Sequence, residues 1–97
     1  MRAANEILTI LARTNPELER RFGVRRIGLY GSYACGTQTE NSDIDLLVEL
    51  QEPKFDVLAG LYIHMEQLLG REVDIRRLSK KIDTPFMRRI EREAFFV

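Results

Sequence analysis

Residues 31–50 read GSYACGTQTENSDIDLLVEL. The second half of this stretch alternates. Ile44, Leu46, Val48 and Leu50 fall on one side of an extended chain, with Asp43, Asp45, Leu47 and Glu49 on the other. That period of two predicts a strand over 43–50, closed by Pro53, which cannot donate to a sheet ladder. Gly31 and Ser32 follow another apolar run at 24–30, also read as a strand, and form a small turn at its end. Residues 37–42, TQTENS, are a polar loop between the two strands. Asp43 and Asp45, at i and i+2, therefore point the same way, two hard oxygen donors side by side where a divalent cation can bridge them.

Outward from this stretch the pattern turns helical on both sides. Ile7, Leu8, Ile10 and Leu11 predict a first short helix. Asn15-Pro16-Glu17 reads as the start of a second, with Asn as cap and Pro at the first helical position, running to Gly23. Leu58, Leu61, Tyr62, Met65, Leu68 and Leu69 follow i, i+3, i+4 spacing and predict a helix over 55–69 ended by Gly70. Residues 72–77 are a short strand with Val73 and Ile75 on one face and Asp74 on the other. Asp83-Thr84-Pro85 opens a last helix with Phe86, Ile90 and Ala94 as its stripe. The expected order is ααβ–β–α–β–α in one domain spanning 1–97, an α/β (α+β) sandwich with helices on a three- to four-stranded sheet.

Composition limits the function classes. At 97 residues the chain buries only about 60–65% of its unfolded surface, so its core is modest. It has no apolar stretch approaching the ~20 residues of a membrane span, and its start carries Glu6 and helical spacing rather than a secretory pattern. One cysteine, Cys35, forms no internal disulfide, consistent with a cytoplasmic protein. Zero net charge argues against direct nucleic-acid binding through bulk electrostatics. The charge is uneven: residues 71–97 hold 8 basic and 5 acidic side chains, a solvated surface, a docking face for an acidic partner, or positive charge beside a triphosphate.

The candidate chemistry rests on few residues. Charges inside an apolar strand are costly without a partner, and a metal would give Asp43 and Asp45 one. Asp74 becomes a third candidate ligand if its strand lies beside theirs, placed also to help remove a proton from an attacking hydroxyl. Gly31 lets backbone approach a phosphate closely, the Ser32 hydroxyl can donate to it, and Gly36 allows the next bend. The spacing and lysine of a P-loop are absent. A phosphate cradle beside metal carboxylates suits nucleotidyl transfer. Cys35 has no histidine near it in sequence. His64, the one histidine, falls off the apolar stripe of its helix and reads as a solvated surface group. Tyr30 and Tyr33 read as core or edge packing, and Phe86, Phe95 and Phe96 as core or partner-facing.

Gly31-Ser32, Gly36 and then Ser42-Asp43-Ile44-Asp45 with the later Asp74 resemble the signature of the polymerase-β-like nucleotidyltransferase superfamily, and more closely the minimal nucleotidyltransferases of prokaryotes. The resemblance covers roughly residues 24–76. It implies a small mixed sheet flanked by helices, Asp43, Asp45 and Asp74 holding two Mg²⁺ ions, and attack on the α-phosphate of ATP. Gly31, Ser32 and Gly36 would serve the nucleotide, Ser32 and the Gly31 turn holding the departing pyrophosphate. It also implies a role as antitoxin, transferring AMP to a tyrosine of a HEPN-type toxin. Two alternatives stand beside it: an antitoxin that neutralises its partner by binding alone, and a small-molecule nucleotidyltransferase of the aminoglycoside-resistance kind. One departure matters: Cys35 stands where the family commonly has an arginine facing the triphosphate, a place that Arg76 or a residue of the partner could fill. An arginine introduced there, Cys35→Arg, is expected to tighten ATP binding; unchanged affinity in a titration would mean that position 35 does not face phosphate.

Overall fold

The computed structural model of the chain describes residues 3–97. Helices and strands alternate along it: α1 (Ala4–Phe22), β1 (Val24–Tyr30), α2 (Gly31–Cys35), β2 (Ile44–Leu50), α3 (Phe55–Leu69), β3 (Val73–Arg77), α4 (Pro85–Glu93) and β4 (Phe95–Phe96). The strands form one mixed sheet in the order β3-β2-β1-β4. β1 runs antiparallel to β2 and to β4, while β2 and β3 are parallel, joined by α3 as the crossover.

The main core lies on one face of the sheet. Ile27 and Leu29 of β1, Ile44, Leu46 and Val48 of β2 and Val73 and Ile75 of β3 pack against Ile7, Leu11 and Leu18 of α1 and Leu61, Met65 and Leu69 of α3. The stripe of α1 explains why two expected helices are one. Ile7, Leu11 and Leu18 stay in phase across Pro16, and burying all three holds the helix together. Pro16 removes one internal bond, to the Ala12 carbonyl, but both residues lie on the exposed side where water can take that acceptor. Gly23 ends the helix in the left-handed conformation, as the sequence suggests.

The opposite face carries a second, smaller core that the sequence reading missed. Leu47, expected on a polar face, is fully buried beneath Met87 and Ile90 of α4, with Tyr30, Leu78, Ala94 and Phe96 around them. The inward residue of α4 is thus Met87 rather than Phe86, which is 48% exposed. Thr84 caps the helix, its Oγ1 accepting from Met87 N at 3.1 Å, with Pro85 in the first turn. β4 is a further addition, pairing Phe96 with Gly28 and Phe95 with Leu29 at the sheet edge. Here Phe96 packs under the Arg26 guanidinium, 4.0 Å from the ring centroid, while Phe95 stays exposed. His64 is not a free surface group: it is half-buried, with its ring 5.5 Å from that of Phe22 and Nδ1 accepting from Arg21 Nη1 at 3.5 Å. Tyr33, read as packing, is fully buried in the main core.

Among the described residues no helix is long and apolar enough to cross a membrane. Cys35 is exposed and unbridged.

Candidate active site

The site forms where β1 ends and β2 and β3 begin. Parallel pairing sets Asp45 directly opposite Asp74, and antiparallel pairing sets Asp45 opposite Tyr30, the last residue of β1. Asp45 is therefore the centre of a row Tyr30–Asp45–Asp74 across three strands. All three side chains lie on the α4 face of the sheet, by the same alternation that sends Ile44, Leu46, Val73 and Ile75 to the main core. Asp43, one residue before β2, is exposed and shares the Asp45 side by that period.

Gly31 links this row to the preceding strand. Its φ is +74°, a left-handed conformation that costs other residues energy, and it turns the chain from β1 directly into α2. The turn foreseen from sequence is thus the first residue of a short helix. A Cβ at Gly31 would overlap Asp45 Oδ2 and sit 2.9 Å from Asp45 Cγ. Backbone and carboxylate are in direct contact, and only glycine leaves room for that contact. Ser32 is half-buried, and its carbonyl, not its hydroxyl, closes the turn: Thr37 N donates to it at 2.9 Å and Thr37 Oγ1 at 3.5 Å. Gly36 also has φ +74°, but a Cβ there would meet nothing within 4 Å; it ends α2. Cys35, beside it, is exposed.

Supporting residues outside the motif hold β3 in place. Its outer edge would expose the N–H groups of Val73 and Ile75, which flank Asp74. Side chains one turn apart on α3 take both: Glu66 Oε2 accepts from Val73 N at 3.2 Å, and Tyr62 Oη from Ile75 N at 2.9 Å. Tyr62 also donates back to the Ile75 carbonyl at 3.1 Å. Arg71, just before β3, donates to the carbonyls of Glu40 and Ser42, the latter at 3.4 Å, tying the loop before Asp43 to the strand of Asp74. A polar cavity of about 300 Å³ opens beside it, lined by Ser42, Asp43, Arg71 and Glu72 among others. From sequence Tyr62 counted only as part of an apolar stripe; its spacing to Glu66 on the side facing the crossover was the signal available.

Electrostatics mark Asp45 out. Its carboxyl is held above the ordinary carboxylate value, first by burial, then by the negative charges of Asp74 and Asp43, with Arg76 pulling the other way. The Tyr30 hydroxyl is pushed up to about 12 by burial and by Asp45, then eased by Arg76. Among the described residues no three histidine, cysteine or acidic side chains are gathered tightly enough to form a preset metal cage. The donor set nevertheless suits a hard divalent cation: carboxylate oxygens only, mutually repelling, with one guanidinium to offset them.

Residues 11–96 match the family described as nucleotidyltransferase domain. The chain belongs to that family. Two relatives align over its whole length: a candidate protein adenylyltransferase of Methanocaldococcus jannaschii, 38% identical over all of that protein, and the protein adenylyltransferase MntA of Thermococcus cleftensis, 37% identical over 98% of it. A solved candidate minimal nucleotidyltransferase superposes with TM-score 0.70 at 35% identity, covering 97% of this chain and 95% of the other. A chain of a solved toxin–antitoxin MntA–HpeT mutant shares the fold, with TM-score 0.65 at 22% identity over 98% of this chain and 72% of that one. The enzyme is thus a nucleotidyltransferase on the polymerase-β-like fold expected from its motif.

Proposed function

We propose that this nucleotidyltransferase transfers AMP from ATP to a hydroxyl of a partner protein, acting as an antitoxin on a tyrosine of a HEPN-type toxin. The observation that carries the reading is the register of Asp45 against Asp74, with the Gly31 backbone seated on the Asp45 carboxylate. The whole-length relatives named as protein adenylyltransferases support a protein acceptor.

Asp43, Asp45 and Asp74 are the residues to hold Mg²⁺, two ions in this reading, which when bound supply charge neutralisation at the phosphates and a more acidic acceptor hydroxyl. The remaining work falls to the chain itself. Asp74, beside Asp45, takes the proton as the acceptor oxygen forms its bond to the α-phosphorus. The bond from that phosphorus to the bridging oxygen breaks, and pyrophosphate leaves with the electron pair. The Gly31–Ser32 turn offers the pyrophosphate its backbone N–H groups and the Ser32 hydroxyl. Gly36 lets the chain bend away behind them.

The test is incubation of enzyme and partner with ATP labelled at the α-phosphate. Label is expected on the partner with the wild-type chain and at least ~10³-fold less with Asp43→Ala or Asp45→Ala, the scale of losing charge stabilisation at a reacting phosphate. Full neutralisation of the partner by those variants, without label, would leave a binding antitoxin instead.

A further inference from the structure

Arg76 lies two residues after Asp74 on β3, on the same face of the sheet, opposite Leu47. Its guanidinium carbon sits 5.1 Å from the centroid of the Phe86 ring on α4, within range of a cation–π contact. Its charge also counters the upward push on the Tyr30 hydroxyl at the end of β1. Arg26, on the same sheet face, is engaged by Glu49 at 3.8 Å and Glu91 at 3.2 Å, whereas Arg76 takes part in none of the ion pairs among the described residues. The Phe86 ring supports it without cancelling its charge. Phe86 stays 48% exposed in this contact, so a platform rather than a buried pocket holds the cation.

The charge has a use at this place. Three carboxylates cancel most of the charge of two divalent cations, so a triphosphate arriving there still needs positive charge from the protein. Arg76 is the cation that counters the upward push on the Asp45 carboxyl. A guanidinium set over a ring keeps N–H groups free as a fork that matches two phosphate oxygens. We propose that Arg76, seated over the Phe86 ring and on the same sheet face as Asp74, contacts the polyphosphate of the nucleotide and sets the preference for a triphosphate over a monophosphate. The proposal rests on the nucleotide-site reading above and adds a residue to it.

Equilibrium titrations of the full chain with ATP and with AMP, each in Mg²⁺, test it. Arg76→Ala is expected to weaken ATP about 10- to 100-fold, the scale of hydrogen bonds to charged groups, and AMP no more than about 3-fold. Arg76→Lys keeps the charge but loses the fork and should fall between. Phe86→Leu keeps the arginine but removes its platform and should weaken ATP a few-fold. Melting curves confirm that each variant is folded, and Arg76→Gln replaces Arg76→Ala if that one is not. Equal losses for ATP and AMP would overturn the proposal, because a merely supporting arginine moves both alike. Unchanged ATP affinity in Arg76→Ala, while the wild type binds and Asp45→Asn does not, would overturn it and leave the nucleotide site standing. A wild-type chain that takes up no Mg²⁺-dependent ATP overturns both.

Discussion

Asp45→Asn is expected to abolish nucleotidyl transfer and, in the absence of metal, to make the protein more stable. The two effects share one cause. Asp45 sits between Asp74 and Tyr30 in the sheet, touching Gly31, and its carboxyl is held above the usual range by burial, then by Asp74 and Asp43. A carboxyl whose folded value is raised contributes stability below its unfolded value, ~3.9, and that contribution is lost as pH rises through the raised value. At neutral pH the wild-type chain therefore carries the cost of a charged Asp45 that asparagine, nearly identical in shape, avoids. Because the group is partly open to solvent, the cost is modest, and a gain of a few degrees in melting temperature is expected, given ~4–8 °C per kcal/mol in a domain of this size. The gap should close as pH is lowered below about 4. Added Mg²⁺ should stabilise the wild type and not the variant, since ligand binding to the folded state raises its stability. Transfer should fall at least ~10³-fold. Melting curves in chelator at pH 7 and pH 4, with and without Mg²⁺, are decisive: a variant no more stable than wild type at pH 7 would mean that no carboxylate repulsion is stored at this site.

Much of this arrangement can be read in the chain because a strand writes its faces in a period of two. Asp43 and Asp45 share a side with no reference to tertiary structure, and Asp74 joins them because one helical crossover of 15 residues makes β2 and β3 parallel neighbours. α3 is legible to the residue because its stripe, its flanking Pro53 and its Gly70 agree. Where two signals conflict, the local one misleads: Asn15-Pro16-Glu17 is a sound helix start, yet the buried stripe Ile7–Leu11–Leu18 overrides it. Two-residue β4 has no period to read, and it exists because Phe95 and Phe96 find the free edge of β1. The second core escaped notice for a related reason. Leu47 sits among Asp45 and Glu49 in sequence, so its side looked polar until α4 was seen to cover it. A contact between separate segments such as Gly31 on Asp45 leaves no trace in any periodicity.

That last contact supports the other large effect: Gly31→Ala should cost both stability and activity, far more than Gly36→Ala. The two glycines have the same φ, +74°, so each substitution bears a similar backbone penalty of about 1–2 kcal/mol. They differ in surroundings. A methyl at 36 points into open space, whereas one at 31 overlaps Asp45 Oδ2 and comes within 3.1 Å of Asp45 Cβ. The Asp45 side chain has to leave its rotamer or β1 and β2 have to part at the Tyr30–Asp45 pair, which adds about 1–3 kcal/mol, the usual range for overpacking. A fall in melting temperature on the order of 10 °C or more is expected for Gly31→Ala, and roughly half of that for Gly36→Ala. Transfer should drop at least ~10²-fold in the first, because a displacement of about 1 Å at a reacting group costs that much, while Gly36→Ala should retain most of it. A double-mutant cycle isolates the contact: in an Asp45→Ala background the carboxylate is gone and only the 3.1 Å approach to Cβ remains, so Gly31→Ala should cost little more than its backbone penalty, close to what Gly36→Ala costs. Equal costs in both backgrounds would show that Gly31 is required for its turn alone and that its approach to the carboxylate has no energetic weight.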